Sequence, residues 1–148
     1  MPKRNHNATL PHDASAATHC LVSTTHIVDG NTLTVLTRGA ERLEALIALI
    51  EGARTSLRLL YYIFAPDSCG IRVREAMIDA ANRGVAVRLI VDGFGSEALG
   101  ENDFLGPLTD AGVDVCAFIP RFGRRYLLRN HQKLALTDEK RALIGGFN

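Results

Sequence analysis

The 148-residue sequence lacks tryptophan, holds only three cysteines and contains no long apolar run. A membrane-spanning helix needs about 20 mostly apolar residues. The apolar runs here extend over a few residues each, so no spanning helix is predicted. The first 20 residues are polar and lack the apolar stretch of a secretory signal. Cys20, Cys69 and Cys116 form no Cys-x-x-Cys pair, which indicates reduced thiols in a cytoplasmic protein.

Basic and acidic residues are also almost equal in number. The sequence has 17 Lys and Arg against 16 Asp and Glu, which gives a formal net charge of +1. Overall charge therefore predicts neither a nucleic acid nor a membrane as partner. The length and the hydrophobic content of 47% are typical of one globular domain with a core. An argument about a charged partner has to rest on local sequence.

Regular patterns begin near residue 31. Residues 1–30 show no apolar period, which predicts a disordered leader, and residues 31–148 form the predicted domain. Helices are predicted over 40–51, 67–84 and 102–111, and strands over 32–37, 56–64, 85–92, 113–119, 131–137 and 141–145. Three of these strands, 56–64, 85–92 and 113–119, are almost continuously apolar, as strands buried on both faces are. The alternation predicts an α/β fold with a mixed, largely parallel sheet flanked by helices.

A histidine and a lysine stand two positions apart on the strand predicted over 131–137. Alternation along a strand directs His131 and Lys133 to one side of the sheet, and Leu134 and Leu136 to the other, toward a core. Lysine supplies positive charge where negative charge develops on a phosphoryl group in the transition state. A neutral histidine can attack phosphorus, and the covalent phosphohistidine divides one difficult step into two easier ones.

The predicted strands 131–137 and 141–145 form a hairpin around a polar turn. A two-residue turn at Glu139 and Lys140 fixes the pairing of the two strands. It pairs Asp138 with Arg141, Lys133 with Gly146 and His131 with Asn148. This places an amide across from the histidine and bare backbone across from the lysine, which leaves room for a phosphate oxygen. A shift of one residue would remove the arrangement.

The segment HQKLALTDEKRALIGGFN, residues 131–148, resembles the active-site motif of the phospholipase D superfamily. The family pattern His-x-Lys-x4-Asp-x6-Gly-(Gly/Ser)-x-Asn is matched at every specified position, by His131, Lys133, Asp138, Gly145, Gly146 and Asn148. We call residues 131–148 the HKD motif. Upstream, the segment from LRLLYYIFAPD to VRLIVDGFGS is similar to the bacterial cardiolipin synthase branch. The resemblance covers about residues 32–148.

The resemblance implies a role for each residue of the motif. His131 is expected to be a nucleophile or an acid/base group, Lys133 and Asp138 to be catalytic, and Lys133, Asn148 and Gly146 to bind the substrate phosphate. No metal and no cofactor are expected. The implied activity is phosphatidyl transfer of the cardiolipin synthase type, with phosphatidylglycerol as donor and acceptor. A phospholipase D, a nuclease-type phosphodiesterase and a catalytically inert remnant are the alternatives.

Members of the family build one site from two such motifs, in one chain or in two subunits, and this sequence has one. We therefore expect a chain that corresponds to the N-terminal half and is inactive alone. Its expected partners are a second HKD half-domain or subunit and the anionic phospholipid of a membrane surface. Nucleic acid is not favoured. The expected location is cytoplasmic, peripheral to the inner membrane.

Four other features have weaker functional interpretations. The tract from Arg121 to Arg129 interleaves arginines with aromatic and leucine side chains, which suits a solvated loop or a rim that meets anionic headgroups. Residues 93–98 imitate a Gly-x-Gly-x-x-Ala nucleotide loop outside its usual context, and are better explained as lining the phosphodiesterase site. Tyr61 and Tyr62 are expected to pack in the core rather than contact substrate. The histidines before residue 27 have no ligand-like spacing, so no metal site is predicted there.

Overall fold

The computed structural model describes residues 23–92, 103–118 and 131–146. Two compact units divide the chain, Met1–Thr37 and Arg38–Asn148. In the first unit β1 (Thr24–Val28) pairs with antiparallel β2 (Asn31–Val35). Asp29 and Gly30 join the strands with φ values of 49° and 78°, the left-handed backbone that an Asp-Gly type I′ turn requires. β1 lies inside the segment predicted to be a disordered leader, and for these five residues that prediction is wrong. The division into leader and domain otherwise stays a prediction.

The second unit contains three helices and five strands. They are α1 (Gly39–Glu51), β3 (Ser56–Tyr61), α2 (Ser68–Asn82), β4 (Ala86–Asp92), α3 (Gly106–Asp110), β5 (Asp114–Phe118), β6 (Lys133–Thr137) and β7 (Arg141–Gly145). The strand order is β5-β4-β3-β6-β7. β5, β4 and β3 run parallel, whereas β6 pairs antiparallel with both β3 and β7. The predicted mixed α/β sheet with flanking helices is confirmed.

The second helix begins where its sequence signals indicate. The Asp67 carboxylate caps α2 by accepting a hydrogen bond from the backbone N–H of Gly70, 2.8 Å away. A side-chain carbon at Gly70 would stand 1.9 Å from the carbonyl oxygen of Ala65, so only glycine allows this approach. The cap and the glycine hold the segment between β3 and α2 close to the helix start. That segment includes Tyr62, which belongs to the site described below.

The core lies on one face of the five-stranded sheet. Leu57, Leu59 and Tyr61 of β3 and the alternate residues of β4 and β6 are buried there, in one cluster with the apolar faces of α1 and α2. Residues that alternate with them, such as Arg58 and Leu60, are exposed or half-buried. The prediction that the apolar strands are buried on both faces is therefore wrong for the described residues.

Two predicted elements differ in extent or burial. The helix predicted over 102–111 has five residues, Gly106–Asp110, because Pro107 fits only the first turn of a helix. The strand predicted over 113–119 forms as β5, but four of its five residues are exposed. β5 is the outermost strand on its side of the sheet, so an apolar sequence alone did not reveal its position.

Candidate active site

The site forms where the end of β3 meets the beginning of β6. The last pair of this antiparallel ladder joins Leu60 to Leu134. One step further along, Tyr61 is the last residue of β3 and Lys133 is the first residue of β6. The residues that follow β3 and those that precede β6 therefore lie at the same edge of the sheet. The pairing of β3 with β6 brings Tyr62 to His131 across almost 70 residues of sequence.

Lys133 is the first residue of β6 and is only 7% exposed. Its side chain shares the helix-covered face with Ala135 and Thr137, both fully buried, while Leu134 and Leu136 on the opposite face are half-buried. The predicted orientation of the strand is thus reversed, because α1 packs against β6 on the side of the lysine. The Lys133 Nζ lies 5.7 Å from the centre of the Tyr62 ring, within the range of a cation–π contact.

The described residues give this lysine no acidic neighbour. No carboxylate in residues 23–92, 103–118 or 131–146 lies within 4.0 Å of its ammonium group. Lysines are almost never this buried unless an anion pairs with them. Among the described residues, Lys133 thus contacts the ring of Tyr62 and no carboxylate.

His131 lies two residues before β6 and is exposed. The prediction that it shares a strand with Lys133 is wrong, because β6 begins only at Lys133. The imidazole instead stacks on the ring of Tyr62, with the ring centres 4.1 Å apart and the planes inclined by 19°. A stacked ring keeps both nitrogens free at its edge. The structure therefore brings His131 and Lys133 together through Tyr62 and not through strand alternation.

Tyr62 contacts both His131 and Lys133, which its place in the sequence did not predict. It follows the last residue of β3 and is half-buried, and it was expected to serve packing only. The available signal was an aromatic residue at the end of an apolar strand. Its importance depends on β3 being the neighbour of β6, which no local pattern reveals. Asp92, at the corresponding end of β4, is an acidic residue at this edge and is 2% exposed.

Asp138 occupies the opposite end of β6. Its carboxylate accepts hydrogen bonds of 2.8 to 3.2 Å from the backbone N–H groups of Arg54, Thr55 and Ser56, and one of 2.9 Å from the Thr55 hydroxyl. The backbone N–H groups of Thr55 and then Ser56 lower the pKa of this carboxyl far below its usual range. No contact among the described residues joins Asp138 to His131 or Lys133. A direct catalytic part for Asp138 stays a prediction, and the contacts favour a structural one.

The hairpin has a different register from the predicted one. Thr137 pairs with Arg141, and Lys133 pairs with Gly145 rather than with Gly146. Asp138 and Glu139 lie in the turn, with φ values of 53° and 54°. Aspartate tolerates this left-handed backbone better than most residues, and the four hydrogen bonds from the 54–56 segment hold it there. The turn therefore contains three residues, Asp138 to Lys140, instead of the predicted two, and the register differs by one residue.

The structure describes only some of the motif residues that were predicted to bind phosphate. Gly146 is described, and a side-chain carbon placed on it would meet nothing within 4 Å, so open space remains beside it for a ligand. Asn148 lies outside the described residues, as do the predicted pairing of His131 with Asn148, the tract 121–129 and the loop 93–98. The phosphate-binding roles of Gly146 and Asn148 stay predictions.

The turn contacts predict an effect on stability. Replacing Asp138 by alanine leaves four donors of the 54–56 segment without their acceptor, and we expect Tm to fall by at least about 5 °C. Thr55→Val removes one of the four bonds and should lower Tm less. Thermal unfolding of the two variants followed by circular dichroism tests this order. Equal Tm values for wild type and Asp138→Ala would show that the turn does not depend on the carboxylate.

The same carboxylate predicts a pH dependence. Its pKa is lowered in the folded chain, so on acidification the unfolded chain takes up this proton first, at about pH 3.9. The stabilisation is present above that pH and is lost progressively below it. Below about pH 4 wild-type Tm should therefore decline more steeply than that of Asp138→Asn. Parallel Tm profiles of the two proteins in that range would contradict the assignment.

A cavity of about 520 Å³ has Tyr61, the last residue of β3, in its wall. Its lining is mostly apolar and comes from the first halves of α1 and α2 and from the segment after β3, with Tyr61 among the lining residues. Burial raises the pKa of the Tyr61 phenol to about 12. Tyr61 and Lys133 are neighbours on the same face of the sheet.

No metal centre is found in the part of the chain that the structure describes. None of its His, Cys, Asp and Glu side chains form a group of three or more that could hold an ion. The absence of a metal and of a cofactor from the chemistry stays a prediction. Cys69 and Cys116 are free and exposed thiols.

Comparison with known proteins places this site in a family. Residues 46–148 match the family described as cardiolipin synthase, PLD-like domain. The chain belongs to this family. The match includes α2, all five strands of the sheet and the whole HKD motif, so the cardiolipin synthase likeness predicted from the motif is confirmed.

Bacterial cardiolipin synthases are similar to the chain. Cardiolipin synthase 1 of Bacillus cereus is 36% identical over 124 residues, covering 81% of this chain and 24% of the relative. The major cardiolipin synthase ClsA of Bacillus subtilis is 34% identical over 97% of this chain and 30% of the relative. Cardiolipin synthase A of Edwardsiella ictaluri is 38% identical over 82% and 26%. The chain thus spans between 24% and 30% of the length of these curated relatives.

A solved structure shares the fold. Nuc of Salmonella typhimurium, a phospholipase D family member, aligns with a TM-score of 0.51 and 23% identity, over 64% of this chain and 56% of that one. At this identity the likeness supports the fold alone. For the described part of this cardiolipin synthase-like domain, no helix has the length and apolar character needed to cross a bilayer.

Proposed function

We propose that the chain supplies one half of a phosphatidyltransferase site of the cardiolipin synthase type. The observation that carries the proposal is the pairing of an exposed imidazole with a buried lysine that has no carboxylate partner among the described residues. A phosphodiester supplies the missing negative charge to Lys133. It also places phosphorus within reach of the His131 ring edge. The family match and the relatives support phosphatidylglycerol as the substrate.

The reaction proceeds in two displacements at phosphorus. A nitrogen of His131 attacks the phosphorus of phosphatidylglycerol, the bond to the glycerol oxygen breaks, and the leaving oxygen takes a proton from an acid of the second motif. Lys133 stabilises the negative charge on the phosphoryl oxygens. A hydroxyl of a second phosphatidylglycerol then gives up its proton and attacks, which forms cardiolipin and frees His131. The products are cardiolipin and glycerol.

The cavity favours lipid over nucleic acid. A nucleic-acid backbone offers sugars and bases to the surroundings of its phosphate, whereas the lining of the cavity at Tyr61 is mostly apolar, with Arg42 and Asp67 as its charged residues. A phospholipid carries alkyl chains, whose burial in such a cavity is favourable. A phospholipase D activity uses the same first displacement, with water in place of the second lipid, and the products distinguish it.

The substrate class is tested with an assembled site, in which this chain is combined with a second HKD motif. We expect cardiolipin and glycerol from phosphatidylglycerol vesicles, and no cleavage of single-stranded DNA. Lys133→Gln should lower turnover by at least about 100-fold, because no cation then stabilises the negative charge on the phosphoryl oxygens. Phosphatidic acid as the product would identify a phospholipase D, and DNA cleavage that depends on Lys133 would identify a nuclease.

Attachment to anionic lipid is a separate expectation. The arginine-aromatic tract 121–129 lies outside the described residues, and its sequence suits peripheral contact with phosphatidylglycerol headgroups. At low salt the chain should sediment with vesicles that contain phosphatidylglycerol. In 1 M salt it should stay in solution, because the Debye length is then only about 3 Å. A variant with Arg124 and Arg125 replaced by glutamine should bind less. Binding that is indifferent to anionic lipid and to salt would contradict this location at the membrane surface.

A further inference from the structure

Tyr62 is the residue through which the two side chains of the motif meet. His131 lies outside β6, so the ladder of the sheet does not fix its ring. Lys133 has a long flexible side chain on the buried face. Both contact one aromatic ring, His131 by stacking at 4.1 Å and Lys133 from 5.7 Å. Tyr62 itself directly follows the last residue of β3.

We propose that Tyr62 is a positioning residue for the HKD motif. Its ring holds the imidazole of His131 by one face and, as a cation–π partner, confines the ammonium group of Lys133 on the same side of the substrate. Because Tyr62 contacts the face of the imidazole, the two nitrogens at the ring edge of His131 can still attack phosphorus and bind a proton. Stacking also reduces the number of ring orientations that His131 samples, which raises the fraction aligned for attack. The expected effect on catalysis rests on the proposed function, whereas the stacked geometry is independent of that function.

The aromatic ring is the feature that matters, because both contacts use the π-face of Tyr62. Tyr62→Phe keeps that face and should preserve the positions of His131 and Lys133. Tyr62→Leu keeps an apolar side chain at the end of β3 but removes the ring. These two variants separate the stack from ordinary packing, which leucine also provides.

The first measurement is nuclear magnetic resonance of the histidine ring protons in the full 148-residue chain. A stacked tyrosine shifts the His131 ring protons upfield, and His131→Gln identifies their signals by removing them. We expect the upfield shift in wild type and in Tyr62→Phe, and its loss in Tyr62→Leu. His26, on β1 of the other unit, gives an internal reference that should not change. His131 signals at ordinary positions in wild type, or unaffected by Tyr62→Leu, would overturn the proposal.

The second measurement is turnover of phosphatidylglycerol by the assembled site. A misplaced catalytic group costs about 100-fold in rate, so Tyr62→Leu should lower kcat by 10- to 100-fold with KM within about twofold, and Tyr62→Phe should restore it. An equal loss in Tyr62→Phe and Tyr62→Leu would assign the effect to the hydroxyl group and overturn the proposal. Unchanged kcat in Tyr62→Leu would also overturn it. A wild-type site without turnover would refute the proposed function, and the resonance experiment would still decide the stack.

Discussion

Replacing His131 by alanine removes turnover of the assembled site. We assign the attack on phosphorus to the imidazole, which stacks on the ring of Tyr62 beside Lys133. Without the nucleophile the divided reaction path is lost. We expect kcat to fall by at least about 1,000-fold, with the affinity for phosphatidylglycerol little changed because Lys133 still binds the phosphate.

A matched control separates loss of chemistry from loss of structure. His26→Ala removes an exposed histidine from β1, which lies in the other unit, and should leave turnover within about twofold. Both variants should unfold at the wild-type Tm, since neither imidazole is part of the core. If His131→Ala kept turnover within about tenfold, the loss would be under about 1.4 kcal/mol and His131 would not be the nucleophile.

We expect the chain made alone to turn over no phosphodiester at a measurable rate. One histidine can attack phosphorus, but the departing alkoxide needs a proton from an acid on the other side of the substrate. The sequence offers one HKD motif, and its other four histidines all precede residue 27. Missing general acid catalysis lowers the rate by about 100- to 10,000-fold. Adding a second HKD motif, from a half-domain or a subunit, should restore turnover that depends on both motifs.

Self-association is the alternative way to supply the second HKD motif, in place of a different partner. β7 is the outermost strand on its side of the sheet among the described residues, and its Ile144 is 78% exposed. Such an edge favours pairing with another chain, and a two-fold dimer can in principle bring two copies of His131 together. Light scattering combined with turnover of a generic phosphodiester distinguishes the cases. A stable dimer with turnover that His131→Ala removes would show that the chain completes its own site.

The family was predictable from sequence because the HKD motif depends on local spacing. The motif indicated the family without knowledge of the fold, and residues 131–148 lie within the matched region. The helix capped by Asp67 was equally accessible, because a cap and its helix are neighbours in sequence. The alternation of helices and apolar strands was sufficient for the α/β class.

The errors share a long-range cause. The hairpin register was wrong by one residue because Asp138 binds the 54–56 segment, more than 80 residues earlier, and this contact places the turn. The partnership of Tyr62 with His131 depends on β3 lying beside β6. The reversed faces of β6 depend on which side α1 covers. Local propensity contains none of these tertiary choices.

The account is tested most directly by trapping the covalent intermediate. Phosphatidylglycerol is incubated with the assembled site, and the reaction is stopped with denaturant near neutral pH, because phosphohistidine is labile in acid and the acyl esters of the lipid are labile in alkali. Tryptic peptides are then examined by mass spectrometry. We predict a phosphatidyl adduct on peptide 130–133, at His131, that is absent from His131→Ala. An adduct found only on the histidine of the second motif, or none during steady turnover, would contradict the assignment of His131 as the nucleophile.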